Sequence, residues 1–320
     1  MFDPVLWKKG ILNFPGPEKN LTLSPARIFR IVRIAAETRF AVSSKVRQAV
    51  LRQVPATAEL PASLVRRQFS AMLTGKNPVL AMELCRAWGL LRIHLPEVHL
   101  LKGVTQPPEF HPEGDVWTHT LQMLSGMFGA DEVLAWSVLL HDIGKPRTRT
   151  VEVSGRIRFF NHETIGGNMA DALCIRLAFP EEQRRRIVRA VAGHMKMTRI
   201  SAMRPSTMEK LVKTSDFSLL LELQRLDCAG CHRFFEDYLL LLDKKAELDR
   251  RPEAPEPFLR GRDLKDAGLA PSPEFGRILQ KAYRLQRDGK LSRRADALLW
   301  LQKILAGDRS RHFVPPDVSH

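Results

Sequence analysis

His119, His141, Asp142, His162, His194 and Asp227 are residues whose types and placement could do chemistry. Neutral imidazole and carboxylate are ligands that borderline and hard divalent ions accept. His141 and Asp142 are adjacent. They follow the apolar pair Leu139-Leu140, and Gly144-Lys145-Pro146 stops the helix just beyond them. A helix terminus leaves two directions open, so both side chains can reach one cavity, and the carboxylate can bridge two ions. His119 lies on a predicted helix in Trp117-Thr118-His119-Thr120, and His162-Glu163 follows Phe159-Phe160-Asn161. His194 ends a helix predicted from residue 181, and Asp227 sits within a long helix predicted beyond Phe217. A lone histidine is more often a core or surface group; here the grouping carries the reading. These side chains suffice for one or two divalent ions with positions left for water. Two ions about 4 Å apart can activate a water and neutralise a phosphate together. Lys145 is then placed as a point charge for a phosphate oxygen. The expected activity is metal-dependent phosphohydrolysis by metal-activated water, with Asp142 and Lys145 in catalytic roles. Several imidazoles with a bridging carboxylate suit Fe, Mn, Co, Ni or Zn, and suit Mg less well.

The elements that must position these groups are helical. The 320-residue chain is rich in Leu, Ala and Arg, holds only two Tyr and has few β-branched runs, which points to an all-α fold. Helical patterns cover 26–40, 62–74, 78–91, 117–128, 131–140, 167–177, 181–195, 205–214 and 217–248, and a last helical unit spans about 260–306. One hairpin is expected, 148–153 with 156–160 about Ser154-Gly155. Residues 1–24 read as irregular because of Pro4, Pro15, Gly16 and Pro17. Ser24-Pro25 reads as an N-cap followed by Pro at the first helical position. Residues 251–257 carry three prolines and read as a linker.

The composition excludes several classes. With 44% hydrophobic and 27% charged residues, the chain is neither disordered nor fibrous. It shows no secretory signal and no apolar run long enough to cross a membrane. Four cysteines are too few for a disulfide scaffold at this length, so a reducing cytoplasm is the expected compartment. The net charge of +15 suggests a polyanionic partner, because the charge is clustered. Arg27, Arg30 and Arg33 run at i, i+3, i+6 along one predicted helix. Lys281, Arg284 and Arg287 lie in a second basic segment, 281–294, that holds a single acid, Asp288. Arg184, Arg185, Arg186 and Arg189 read instead as a solvated face. Cys228-Ala-Gly-Cys231-His232 matches the string of haem attachment, but it overlaps Asp227 inside a predicted helix, and no second cysteine pair completes a zinc site.

His119, His141-Asp142 and Asp227 resemble the His…His-Asp…Asp signature of the HD superfamily of metal-dependent phosphohydrolases, and His162 and His194 resemble the extra ligands of its two-metal members. The flanking sequence resembles bacterial CCA-adding tRNA nucleotidyltransferases and related poly(A) polymerases. Gln106-Pro-Pro-Glu-Phe-His-Pro-Glu-Gly-Asp-Val-Trp-Thr-His119 looks like the approach to their HD domain. Ser24-Pro-Ala-Arg27-Ile-Phe-Arg30-Ile-Val-Arg33 looks like their neck helix. Leu73-Thr-Gly-Lys-Asn-Pro, Trp88-Gly-Leu-Leu and Leu95-Pro-Glu97 look like their helical body, and Gly261-Arg-Asp263-Leu with Pro273-Glu-Phe-Gly276-Arg looks like their tail. The resemblance spans about residues 20–306. It implies an irregular segment at 1–24, a neck and body at 25–104, an HD domain at 105–250 and a helical tail at 251–320. It further implies that Arg27, Arg30, Arg33, Lys281, Arg284 and Arg287 contact RNA, with tRNA and a phosphorylated nucleotide as the partners.

The chain departs from that family in one decisive respect. Nucleotidyl transfer needs a Gly-rich turn and two Asp residues one residue apart, and this sequence contains no Asp-x-Asp. Hydrolysis of a phosphomonoester or 2′,3′-cyclic phosphate is therefore the first expectation. The alternative is the tRNA-binding half of a split nucleotidyltransferase whose head is a separate polypeptide. A smaller departure is Asn161, where such families more often carry Gly.

Overall fold

The computed structural model describes residues 10–198, 200–231, 235–250 and 256–309. The chain divides into two compact units, Met1–Leu248 and Asp249–His320. As expected, the architecture is all-α apart from short strands. No helix among the described residues is long and apolar enough to cross a membrane.

In the first unit, α1 (Pro17–Leu23) and α2 (Arg27–Thr38) are followed by α3 (Ser44–Gln53), α4 (Ala62–Leu73), α5 (Pro78–Ala87), α6 (Leu90–His94) and α7 (Pro96–His99). Residues 10–24 thus depart from the irregular reading. Gly16 takes a left-handed conformation and turns the chain into α1, where Pro17 occupies the first turn and needs no amide partner. Helix α2 also starts later than Ser24-Pro25 suggests. Those residues form a turn, with the Arg27 and Ile28 amides bonded to their carbonyls. A two-residue parallel pair, β1 (Ile11–Leu12) with β2 (Ala41–Val42), was not legible in the sequence.

The helices that follow, among them those that position the candidate ligands, are α8 (Val116–Ser125), α9 (Glu132–Leu140), α10 (Lys145–Thr148), α11 (His162–Arg176), α12 (Glu181–Gly193), α13 (Pro205–Val212), α14 (Phe217–Gly230) and α15 (Glu236–Arg250). The expected hairpin is present as β3 (Arg149–Val151) antiparallel to β4 (Ile157–Phe159). Asp115 caps α8 by accepting the Thr118 amide at 2.8 Å, and Asp131 caps α9 by accepting that of Leu134 at 2.7 Å. Helix α9 is apolar on every side and buried from Val133 to Leu140 except at Leu134, as a central helix must be.

One continuous apolar core runs from Leu21 to Leu241. Polar ties reinforce it. Trp136 Nε1 donates to Ser70 Oγ at 2.9 Å, Trp117 Nε1 to Glu83 Oε1 at 2.6 Å, and Arg176 Nη1 to the His94 carbonyl at 2.6 Å. The second unit holds α16 (Gly261–Asp266), α17 (Pro273–Arg287) and α18 (Arg294–Arg309). They close over a small core of Leu259, Leu264, Ala282, Leu291, Ala297 and Leu301. Gln286 ties α17 to the preceding segment, accepting from the Phe258 amide at 2.9 Å and donating to the Glu256 carbonyl at 2.7 Å.

Candidate metal centre

The tertiary structure brings the six predicted residues together. His119 projects from the first turn of α8 and is fully buried, while His141 and Asp142 follow the end of α9 at 2% exposure. His162 opens α11, His194 follows α12, and Asp227 lies on α14. Among the described residues, three sets of side chains stand close enough to share an ion: His119, His141 and Asp142; Asp142, His162 and His194; and His111, Glu113 and His119. Asp142 belongs to two of these sets, as a bridging carboxylate would.

The ring orientations are set by the backbone. Nδ1 of His141 donates to the Val138 carbonyl at 2.8 Å, that of His162 to Phe159 at 2.9 Å, and that of His194 to Val191 at 2.7 Å. Each bond reaches three residues back, so each Nε2 lone pair is left to face the cluster. Such an anchor fixes the tautomer and aims the ligand atom. The consequence is a set of acceptors facing acceptors. His162 Nε2 lies 3.2 Å from His194 Nε2. His141 Nε2 is 3.1 Å from Asp142 Oδ2, and His162 Nε2 is 3.4 Å from Asp142 Oδ1. His141 Nε2, both Asp142 oxygens and both His119 nitrogens are buried without a well-aligned hydrogen bond. Buried polar atoms left in this way are costly, and a divalent cation would remove the cost for His141 Nε2, the Asp142 oxygens and His119 Nε2. The donor set therefore fits a metal.

The electrostatics agree. Burial disfavours a positive ring at His119, but Asp227 and Glu113, 3.0 and 2.9 Å away, outweigh it and hold its pKa up to about 9. Burial works against ionised Asp142 too, yet His141 and Lys145 keep its carboxyl well below the usual range. Burial, with His141 nearby, pushes His194 down to about 4. Lys145 is buried, with Nζ 2.7 Å from Asp142 Oδ2 and donating to Gln106 Oε1 at 2.6 Å. It also lies 5.4 Å from the centre of the Phe159 ring.

Asn161 precedes the ligand His162 in the left-handed region, at φ 57°. Gly takes that conformation most readily and Asn next, so Asn in place of Gly preserves the turn. Asn161→Gly should leave thermal stability within about 0.5 kcal/mol, whereas Asn161→Val should cost about 1–2 kcal/mol. Equal melting curves for the two variants would show that the turn does not constrain residue 161.

Three residues of the site were missed in the sequence: His111, Glu113 and Gln106. The signal that could have found them was a His-x-Glu pair placed just ahead of the Asp115 cap. Cys228 and Cys231 form no disulfide. Cys228 is buried against Gln224 on α14, and His232 lies outside the described residues.

The basic segments are on the surface. Arg30 is exposed, and Arg33 stands 3.8 Å from Glu37. Arg27 is half-buried and donates to both the backbone and the side-chain oxygen of Asn20. Lys281, Arg284 and Arg287 are all exposed on α17, and Arg284 and Arg287 line a groove with Gln280, Tyr283 and Asp288. Arg184, Arg185, Arg186 and Arg189 each pair with a carboxylate.

A helical core that gathers His, His-Asp and Asp side chains has the pattern of an HD domain, and residues 115–228 match that family. Beyond that segment the chain is similar over most of its length to bacterial tRNA nucleotidyltransferases. It is 28% identical to the CC-adding tRNA nucleotidyltransferase of Thermus thermophilus, over 96% of this chain and 72% of that protein. It is 29% identical to the A-adding enzyme of Deinococcus radiodurans, over 89% and 69%. The multifunctional CCA protein of Halorhodospira halophila is 32% identical over 81% of this chain. The chain spans 58% of that relative, and about half of other multifunctional CCA proteins such as that of Legionella pneumophila, at 48%. The fold matches the CCA-adding enzyme of Bacillus stearothermophilus, solved with CTP, at a TM-score of 0.54 and 16% identity, over 94% of this chain and 67% of that one.

These relatives correct the first functional expectation. Phosphohydrolysis rested on the ligand set, but proteins similar across nearly the whole chain are named as transferases. A ligand set indicates an ion and does not by itself define a reaction.

Proposed function

We propose that this chain is the tRNA-binding half of a tRNA nucleotidyltransferase, working with a nucleotidyltransferase head on a separate polypeptide. The observation that carries this reading is similarity to CC- and A-adding enzymes along the neck, body, HD and tail regions, in a sequence without Asp-x-Asp. Arg30 and Arg33 on α2, with Arg27 bracing that helix, and Lys281, Arg284 and Arg287 on α17 contact the RNA backbone. Such contacts position RNA without reading its sequence. The head contributes the paired carboxylates and the CTP or ATP. In a mobility-shift titration the chain alone binds tRNA, and the affinity falls steeply with salt. Given tRNA lacking its 3′ terminal nucleotides together with CTP and ATP, it adds none. Nucleotide addition by the chain alone, or no binding to tRNA, overturns the reading.

His119, His141, Asp142 and Asp227 hold one divalent ion in this proposal, and His162 and His194 with Asp142 hold a second. A bound ion supplies positive charge where imidazole and carboxylate acceptors otherwise face one another. The protein residues do the holding: three backbone carbonyls fix the rings, and Lys145 and Gln106 fix Asp142. These side chains come from the ends of α9 and α12, the start of α11, and α8 and α14, so an ion held by them would tie those elements together. His141→Ala is expected to lose the metal, read by elemental analysis, and to leave tRNA affinity nearly unchanged. An equal loss of both would make the centre part of the RNA-binding fold.

A further inference from the structure

His119 differs from the other three ring ligands. Their Nδ1 atoms are held by main-chain carbonyls, whereas His119 Nδ1 faces the carboxylate of Glu113 at 2.9 Å, and its Nε2 faces Asp227 at 3.0 Å. The main-chain carbonyl of Val116, three residues back, is already taken up by Thr120 Oγ1 at 2.8 Å. The group that faces His119 Nδ1 is instead a side chain from outside α8.

We infer that Glu113 is the positioning residue for His119, and that the loop before α8 forms the outer shell of the metal centre. This rests on the metal reading above. The same oxygen, Glu113 Oε1, also accepts from His111 Nδ1 at 2.9 Å, which ties the carboxylate down, and the His111 and His119 rings meet edge to face at 5.0 Å. Glu113 Oε2 is buried without a partner, so the carboxylate is committed to the two histidines. With Nδ1–H donated to Glu113, the His119 Nε2 lone pair is aimed at the ion. A carboxylate also makes the ring a stronger donor to a metal than an amide carbonyl does. The same loop holds the second anchor, since Gln106 Oε1 accepts from the Lys145 ammonium that stands against Asp142.

The loop is built to hold this geometry. The Gln106 amide bonds to the Gly114 carbonyl at 3.2 Å and the Val116 amide to the Val104 carbonyl at 3.0 Å. Gly114 has φ 108°, a conformation that glycine takes without strain. Asp115 then caps α8 and also accepts the Gly103 amide at 2.8 Å. Glu113 is thus held three residues before the start of the helix that carries its partner.

The test is zinc affinity and His119 tautomer in the full chain and in Glu113→Ala and Glu113→Gln. Long-range nitrogen–proton NMR of the metal-free protein, recorded well above pH 9 so that the ring is neutral, reads the tautomer directly. Wild type is expected to carry the His119 proton on Nδ1, and Glu113→Ala to redistribute it toward Nε2. Zinc affinity should fall about 10–100-fold in Glu113→Ala, as for outer-shell partners in general. Glu113→Gln, which keeps an acceptor without charge, should fall between the two. A merely structural role would not grade the affinity in that order. Unchanged affinity in a folded Glu113→Ala, or an Nε2-protonated ring in wild type, overturns the inference. Should Glu113→Ala fail to fold, the Glu113→Gln comparison alone decides it. Wild type that takes up no zinc would overturn the metal reading as well, while the tautomer result would still report on Glu113.

Discussion

Gly144→Ala is expected to lower the melting temperature by roughly 6–12 °C, corresponding to about 3 kcal/mol of overpacking in a unit of this size, and to empty the metal centre. Gly144 follows His141-Asp142 by two residues and lies directly under the start of α11. A Cβ at this position would overlap the carbonyl oxygen of His162 and come within 2.8 Å of the Gly166 amide. Both obstacles are backbone, so no rotamer change relieves them. One element must move, and each carries a ligand: Asp142 on one side, His162 on the other. Their present separation, 3.4 Å between His162 Nε2 and Asp142 Oδ1, is therefore a result of glycine at 144. Gly276→Ala is the matching control. Position 276 lies within α17 with nothing within 4 Å of an added Cβ, so that change should be neutral or stabilising by about 0.5–1 kcal/mol. Wild-type stability and metal content in Gly144→Ala would mean that the packing of α10 on α11 opens freely.

Removing the charges of Lys281, Arg284 and Arg287 together should weaken tRNA binding about a hundredfold at 0.15 M salt, since three phosphate contacts are worth about that much relative to 1 M salt. The slope of log affinity against log salt should become shallower by about three, one for each phosphate no longer neutralised. The three side chains are exposed on one helix. Their removal should leave the core of the second unit, and hence its melting, unchanged. Arg30→Ala with Arg33→Ala should take about two more from the slope. Arg27 is better retained in that experiment because it also braces Asn20. An unchanged slope in the α17 variant would remove that helix from the RNA-binding face.

The HD domain and the nucleotidyltransferase-like sequence around it were legible because they depend on local signals. His141-Asp142 stands at a helix end that the glycine and proline after it announce. The neck and tail segments carry short strings at fixed spacing. The basic clusters were legible for the same reason: a charge run on a helical period is visible without knowing what it faces. What the cluster does was not legible. The same histidines and aspartates suit a hydrolase or a part of a transferase, and it was similarity to named transferases along most of the chain that overturned the first expectation.

The sequence by itself determined the all-α fold, the six ligand candidates and the absence of the paired carboxylates that nucleotidyl transfer requires, since each is a matter of residue type and spacing. The tertiary structure alone decided how the ligands are aimed. That His141, His162 and His194 each spend Nδ1 on a carbonyl three residues back depends on all three standing at helix boundaries. That His119 faces Glu113 instead follows from its place in the first turn of α8, beside a loop whose fold no local pattern announces. Long-range packing also decided that Gly144 must be glycine, because the atoms that exclude a side chain there belong to a helix beginning 18 residues further along the chain.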